Sequence, residues 1–356
     1  MDIQKELADF KKRIDKELEI YLNKNIEESR KEDPFIGKLA DDVKRFVLSG
    51  GKRIRAAMMY YGYLTAGGKD DEAIIRACMS VELIHAFLLV HDDIMDRDEI
   101  RHGEPTLHAL YRDRAKMWYP KKDARLFGDS IAISLGDMLA ASGSHVIFTS
   151  SFSSERIVRA LEYLQKIVSQ TVIGQIKDVR MGFDLGAVSE EEVLQMYEQK
   201  TARYTLEGPL ALGAILAGRD DTYIQSFGPY ALSVGIAYQI QDDILGIYGK
   251  QDTAGKTMGS DIEQGKATLL VARVFSHGNK EQKKRLRGFL GKQITKASLQ
   301  EVKDIFEQSG ALEYVRERNK TLLKEGARSL EYIECKNERA KDFLFSIVSF
   351  LSERRV

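Results

Sequence analysis

Apolar residues return every three to four positions along almost the whole chain, the spacing of one buried face on an α-helix. Residues 1–30 carry Ile3, Leu7, Phe10, Ile14, Leu18 and Tyr21 on such a stripe, suited to a core or a partner subunit. The same period predicts helices at about 38–48, 53–66, 71–97, 129–149, 155–182, 189–202, 205–217, 221–248, 262–275, 297–309, 311–333 and 336–354. Gly50-Gly51, Gly67-Gly68, Gly103-Glu104-Pro105, Gly182, Gly218 and Gly249 punctuate them. No Pro/Ser-rich linker divides the chain, which reads as one all-α domain over 1–356 with an N-terminal helix at 1–35. The stretch 111–127, with Trp118-Tyr119-Pro120-Lys121-Lys122, breaks the pattern and is expected to be an inserted loop.

Composition agrees with a helical protein, since only 5 residues are proline. Lys+Arg and Asp+Glu both number 54, which gives no reason to expect a nucleic-acid partner or an anionic membrane. Cys78 and Cys335 are too few for a disulfide framework and fit a reducing, cytoplasmic compartment. No uninterrupted apolar run reaches the roughly 18–20 residues of a spanning helix. The start, Met1-Asp2-Ile3-Gln4-Lys5-Glu6, lacks a signal-peptide core, so no stable membrane insertion is expected.

Two acidic clusters change the picture. Each closes a long apolar segment: Ile84-His85-Ala86-Phe87-Leu88-Leu89-Val90-His91-Asp92-Asp93-Ile94-Met95-Asp96, and Ile236-Ala237-Tyr238-Gln239-Ile240-Gln241-Asp242-Asp243. Adjacent carboxylates beside apolar runs are costly to bury without a counter-charge. A hard cation such as Mg²⁺ supplies one, because it accepts a few carboxylates and completes its shell with waters and phosphate oxygens. On a helix Asp92 and Asp96 share a face, and Asp93 lies beside them. Two helices that each present such a pair would suit several metals and a diphosphate.

The order of further motifs resembles the trans-isoprenyl diphosphate synthases of the polyprenyl synthetase family over about residues 35–270. Gly50-Gly51-Lys52-Arg53-Ile54-Arg55 resembles that family's basic segment, and Asp92-Asp93-Ile94-Met95-Asp96 with Arg101 and Gly103-Glu104-Pro105-Thr106 resembles its first aspartate-rich motif. Phe127-Gly128, Gly136-Asp137, Lys200-Thr201, Gln239, Asp242-Asp243, Gly255-Lys256, Gly259-Ser260-Asp261 and Gly265-Lys266 follow in the family's order.

That resemblance implies an antiparallel helical bundle around a central cleft, usually a homodimer. It also implies a prenyltransferase with three Mg²⁺ ions, or Mn²⁺, held by Asp92, Asp93, Asp96, Asp242 and Asp243. Arg101, Lys200, Lys256 and Lys266 would clamp an allylic diphosphate, whose C–O bond ionises. Thr201, Gln239 and Tyr204 would stabilise the resulting cation. Lys52, Arg55, His85 and His102 would hold isopentenyl diphosphate, and Arg354-Arg355 could close over it. The basic turn alone also fits a solvated surface, and His85 alone a core histidine.

Two departures from the family pattern stand out. His102 replaces an arginine, which predicts weaker isopentenyl diphosphate binding that improves at low pH, and Gly246 stands where many members carry a third aspartate, with Asp261 expected to support the metals from outside. Phe87, five residues before Asp92, with Leu88 and Ile84, resembles the chain-length floor of geranylgeranyl (C20) synthases. A farnesyl (C15) or longer product is the alternative.

Other classes fit less well. A class I terpene cyclase needs a different second metal motif, where this chain has Gly246 and Lys250. A di-iron oxidase is suggested by Glu82-x-x-His85 and Glu99-x-x-His102, but both lie within about one helix and its exit. A regulatory subunit would tend to lose the aspartates.

Overall fold

The computed structural model describes residues 1–184, 188–249 and 258–353. Its backbone falls into two compact units, one of Asp2–Glu162 with Leu212–Gly218, the other of Tyr163–Ala211 and Arg219–Val356 together with Met1.

The first unit begins with α1 (Ile3–Glu32), which Asp2 caps by accepting hydrogen bonds from the backbone N–H groups of Gln4 and Lys5. Leu7, Phe10, Ile14, Leu18, Leu22 and Ile26 form its buried stripe, four of them residues of the predicted one. Pro34 then occupies the first turn of α2 (Pro34–Leu48), where its missing N–H costs nothing. Next come α3 (Ile54–Thr65) and α4 (Glu72–Asp96), a short hairpin of β1 (Ile100–Arg101) and β2 (Glu104–Pro105), α5 (Leu107–Trp118) and α6 (Ala124–Phe148).

Helices α4 and α6 run antiparallel and nearly touch. A methyl group at Gly143 would meet the Ile84 side chain at 2.7 Å, and one at Gly136 would meet the His91 ring at 2.5 Å. Glycines seven residues apart on α6 thus receive large side chains seven residues apart on α4, which locks the register. Both helices are also long and apolar enough by composition to cross a membrane, a property their scattered polar residues conceal from a search for unbroken runs; most of α4's apolar stretch is buried here.

The expected loop at 111–127 is instead mainly helix. Leu107, His108, Ala109, Tyr111 and Ala115 are buried on α5, and only 119–123 separate it from α6. Tyr111 donates to the buried Asp42 carboxylate at 2.6 Å and Arg114 pairs with the same group, so two polar residues of the supposed loop bind α5 to α2.

The second unit holds most of α7 (Ser154–Phe183), then α8 (Glu190–Tyr197) and a π-helical stretch, Glu198–Glu207, that leads into α9 (Gly208–Leu216). The predicted 221–248 helix is broken at Ser226-Phe227 into α10 (Asp221–Gln225) and α11 (Gly228–Tyr248), which has proline in its first turn. Short α12 (Ser260–Glu263) precedes α13 (Leu269–His277), α14 (Lys280–Phe289), α15 (Lys296–Gln308), α16 (Ala311–Ser329) and α17 (Glu338–Glu353). Helix α11 is the spine of this unit. A methyl at Gly235 would strike Ala202 of the π-helical stretch at 2.5 Å, and one at Gly326 of α16 would strike Val234 of α11 at 2.4 Å.

Candidate active site

The first aspartate cluster forms the last turn of α4, which Arg97 ends in a left-handed conformation, φ 58°. Successive residues on a helix point about 100° apart, so Asp92 and Asp93 face different surroundings. Asp93 turns inward and is 1% exposed. Its Oδ1 accepts from Arg101 Nε at 2.7 Å, while its Oδ2 is buried with no hydrogen-bond partner. Burial lifts its pKa to about 6 against the pull of the Arg101 guanidinium. Asp92 and Asp96 remain partly exposed. Arg101, expected on the diphosphate, stands on β1 already paired with Asp93.

The hairpin's two-residue turn, His102-Gly103, has positive φ at both positions, 53° and 82°, as a type I′ turn requires. It lays the His102 ring on Gly50, where a methyl would approach the ring within 2.5 Å. The hairpin and the basic segment therefore meet. Within that segment Arg53 differs from its neighbours. It is buried and donates to Asp15 at 2.8 Å, Glu82 at 3.2 Å and the Val47 carbonyl at 2.7 Å. Glu82 also accepts from the Ala56 N–H in the first turn of α3. Lys52 is exposed, and Arg55 meets His85 Nε2 at 3.1 Å. Burial, and then Arg55 nearby, hold His85 well below the ordinary histidine range, so it is neutral at pH 7. Burial, then Arg101 and Arg53, lower His102 too.

Phe87 is half-buried and stacks edge-on against His91, ring centroids 4.8 Å apart. Ile84 is fully packed beneath Gly143, and Leu88 is partly exposed. His91, in turn, faces the Ile133 carbonyl at 3.2 Å.

The second unit repeats the division seen at Asp92 and Asp93. Asp243 is buried and accepts from Gln239 Nε2 at 2.8 Å and from the Tyr197 hydroxyl, while Asp242 is partly exposed. Tyr197 accepts from the Leu269 N–H at 2.8 Å, and Thr201 donates to Gln239 Oε1 at 2.8 Å. Burial, with Asp261 and Asp242 as negative neighbours, raises the Asp243 pKa well above the ordinary carboxylate value. Gly246 explains the absent third aspartate. The Asp261 carboxylate lies 3.2 Å from where a Gly246 side chain would begin, so Asp261 occupies the place from another part of the chain.

Lys200 and Thr201 lie in the π-helical stretch, a wide helical form frequent at functional sites. Gly174 on α7 allows close approach, since a methyl there would lie 2.5 Å from the Lys200 nitrogen. One turn on, buried Asp178 accepts from Lys200 Nζ at 2.6 Å and Lys266 Nζ at 3.1 Å. Burial alone would raise this carboxyl's pKa, but the two ammoniums hold it below the usual value. Two lysines from distant segments are thus gathered on one anion. Lys256 and Arg354-Arg355 lie outside the described residues.

A model of the polyprenyl synthetase family matches residues 38–309. The chain belongs to the polyprenyl synthetase family. It is 33% identical to the geranylgeranyl pyrophosphate synthase of Geoglobus acetivorans over 94% of this chain and 96% of that one. It is 30% identical to the geranylfarnesyl diphosphate synthase of Aeropyrum pernix over 86% of this chain and 92% of the other. The geranylgeranyl pyrophosphate synthase of Corynebacterium glutamicum, solved with isoprenyl diphosphate and magnesium, superposes with a TM-score of 0.92 at 28% identity, with 100% of both chains covered.

As a polyprenyl synthetase the chain is a prenyltransferase with the all-α fold that its periodicity predicts. Among the described residues, no three His, Cys, Asp or Glu side chains gather tightly enough to enclose an ion by themselves. The di-iron alternative loses its first ligand, because Glu82 is committed to Arg53 and Ala56. Asp178 and Gly174 were not foreseen. Their only trace in the sequence is a glycine and an aspartate four residues apart on an amphipathic helix.

Proposed function

We propose that this prenyltransferase condenses isopentenyl diphosphate with a dimethylallyl, geranyl or farnesyl diphosphate and releases pyrophosphate. The observation that carries the reading is the repeated carboxylate pair: each acidic cluster fixes one aspartate inward and leaves its neighbour partly exposed. Asp92, Asp96 and Asp242 would hold Mg²⁺, with Asp93 and Asp243 fixing their helices. Arg101 on the Asp93 Oδ1, and Gln239 and Tyr197 on the two Asp243 oxygens, fit that scaffold role. Bound Mg²⁺ neutralises charge that develops on the departing diphosphate.

Arg101, Lys200 and Lys266 orient that diphosphate as its C–O bond breaks to an allylic cation. The Thr201 and Gln239 oxygens lie in the hydrogen-bonded chain that ends at Asp243, and their dipoles suit a nearby cation. Lys52, Arg55, His85 and His102 hold isopentenyl diphosphate without metal. Its double bond attacks the cation to form the new C–C bond, and the lost proton passes to pyrophosphate. Phe87 and Leu88 limit the growing tail, which supports a C20 product. The exposed Leu126, Ile133 and Phe148 of α6 support a homodimer through that helix.

The test is incubation with Mg²⁺, isopentenyl diphosphate and each allylic starter, then separation of products by length. A dominant C20 product that disappears with EDTA supports the whole reading. C15 products, or products longer than C20, retain the condensation and reject the Phe87 floor. No elongation from any starter rejects the function.

A further inference from the structure

An aromatic cluster at the turn between α5 and α6 takes no part in the chemistry above. Residues 116–123 are all exposed, and among them Met117, Trp118 and Tyr119 keep 73%, 42% and 46% of their surface open. The rings are nonetheless held in place. Trp118 stacks edge-on against Phe35 of α2 at 6.0 Å and against Phe127 of α6 at 6.4 Å, and Tyr119 leans on Phe127 at 5.4 Å. Beneath them the Lys122 N–H donates to the Tyr119 carbonyl at 2.9 Å, and the Asp123 carboxylate caps α6 by accepting from the Leu126 N–H at 3.0 Å. Large apolar side chains fixed outward in one group mark an interaction site.

Charge says which kind of partner fits. Between 116 and 125 the chain has Lys116, Lys121, Lys122 and Arg125 against Asp123 alone. Lys116 and Arg125 lie 2.7 Å from Asp113 and 3.6 Å from Asp129, whereas the ion pairs of the described residues include neither Lys121 nor Lys122. The chain as a whole is neutral, which hides this local excess. Two exposed ammoniums thus adjoin an indole and a phenol, side chains with an apolar body and a polar tip. Such a group suits the headgroup level of a bilayer, where rings sit in the boundary and lysines meet anionic lipid.

We infer that the α5–α6 turn is a docking surface for an anionic lipid bilayer, on which the chain rests peripherally with Met117, Trp118 and Tyr119 in the boundary. The attachment is reversible, because it uses one turn and inserts no helix. It goes beyond the condensation reading and does not depend on it.

Trp118 is the one tryptophan of the chain, so its emission reports on this surface directly. The full chain is titrated with vesicles of phosphatidylcholine, alone or mixed with phosphatidylglycerol, and binding is read by co-sedimentation and by that emission. The expected result is saturable binding to the anionic vesicles with blue-shifted emission, and roughly tenfold weaker binding to the neutral ones. Lys121→Gln/Lys122→Gln should weaken anionic binding about thirtyfold, since each lysine near such a surface contributes about fivefold. Met117→Ser/Tyr119→Ser keeps the reporter and should weaken binding by about tenfold, with a smaller blue shift. All four substituted residues are exposed, so melting curves and elongation in vesicle-free buffer should match wild type. Absent binding, equal binding to neutral and anionic vesicles, or binding that the lysine variant leaves unchanged overturns the inference. If wild type ignores vesicles and Met117→Ser/Tyr119→Ser changes the oligomeric state in light scattering, the patch belongs to a second copy of the chain and the lipid surface is rejected. Variant-sensitive vesicle binding without elongation supports the docking surface and rejects the condensation reading alone.

Discussion

Asp178 is the residue on which the basic half of the second unit depends, and Asp178→Asn isolates its charge with little change in shape. The carboxylate side chain is 5% exposed and those of Lys200 and Lys266 are 25% and 15% exposed, so solvent screens the two pairs incompletely. Removal of one partner from a buried ion pair costs roughly 3–5 kcal/mol, and the partial exposure of both lysines places the expected loss near the lower end, about 3 kcal/mol. For a unit of this size that corresponds to a fall in Tm of about 6–12 °C, at roughly 2–4 °C per kcal/mol. The Asp178 pKa is depressed in the fold, so its contribution is complete above the unfolded value of about 3.9 and is lost as pH falls through the lower folded value. The difference between wild type and variant should therefore be constant from pH 5 to 8 and close only below about pH 4. Urea and thermal unfolding measure the loss. A second readout separates gathered lysines from mere packing: inorganic diphosphate with Mg²⁺ is a substitute anion and should stabilise the variant more than the wild type. A loss under about 0.5 kcal/mol, within the scatter of ordinary surface changes, or equal ligand shifts in both proteins, would refute the reasoning.

Two further substitutions test the other groups. His102→Arg restores a permanent cation where a lowered pKa leaves the imidazole neutral at pH 7; the KM for isopentenyl diphosphate should fall about tenfold, the equivalent of roughly 1.4 kcal/mol. Wild-type KM should improve only below the ordinary histidine range, and a KM unchanged by the substitution would show that His102 does not touch this substrate. Phe87→Ala removes the ring stacked on His91 and should shift the products toward longer chains, read by chromatography; an unchanged distribution would place the floor elsewhere.

The helices were legible because burial follows one stripe on each of them, and α1 shows this most plainly. Where that relation weakens the sequence misleads. Helix α14 buries only Leu286, too little for a periodic signal, and was not foreseen. Helix α5 falls in a stretch expected to be a loop because Trp118-Tyr119-Pro120-Lys121-Lys122 breaks the period; what holds it, Tyr111 and Arg114 on Asp42, spans 69 and 72 residues. The site shows the same limit. Adjacent aspartates announce themselves, whereas Asp178 acquires its meaning from lysines 22 and 88 residues distant. Arg53 sat in a segment expected to bind substrate, yet its partners on α1 and α4 make it the internal fastening that sets Lys52 and Arg55 on either side. Motif spacing identifies which segments meet a substrate; it does not divide their residues between ligand and scaffold.

That division can be tested at Asp242 and Asp243, which sequence reasoning treated as equal metal ligands. Both oxygens of Asp243 are occupied, one by Gln239 and one by Tyr197, and the side chain is 5% exposed. Asn in its place keeps one acceptor for Gln239 but turns an N–H₂ toward the Tyr197 hydroxyl, which already accepts from Leu269. A mismatch of this kind costs about 1–3 kcal/mol of stability. It should leave the Mg²⁺ concentration for half-maximal activity within about threefold of wild type, a change worth less than roughly 0.7 kcal/mol. Asp242→Asn makes the opposite trade. Its carboxylate is partly exposed, so its loss should scarcely change the melting temperature, yet it removes a charge from the metal shell and should raise the Mg²⁺ requirement at least tenfold. Metal titrations and melts of both variants decide the matter. If Asp243→Asn shifts the Mg²⁺ requirement as far as Asp242→Asn does, the inward carboxylate is itself a ligand, and the paired arrangement on α4 must be read the same way.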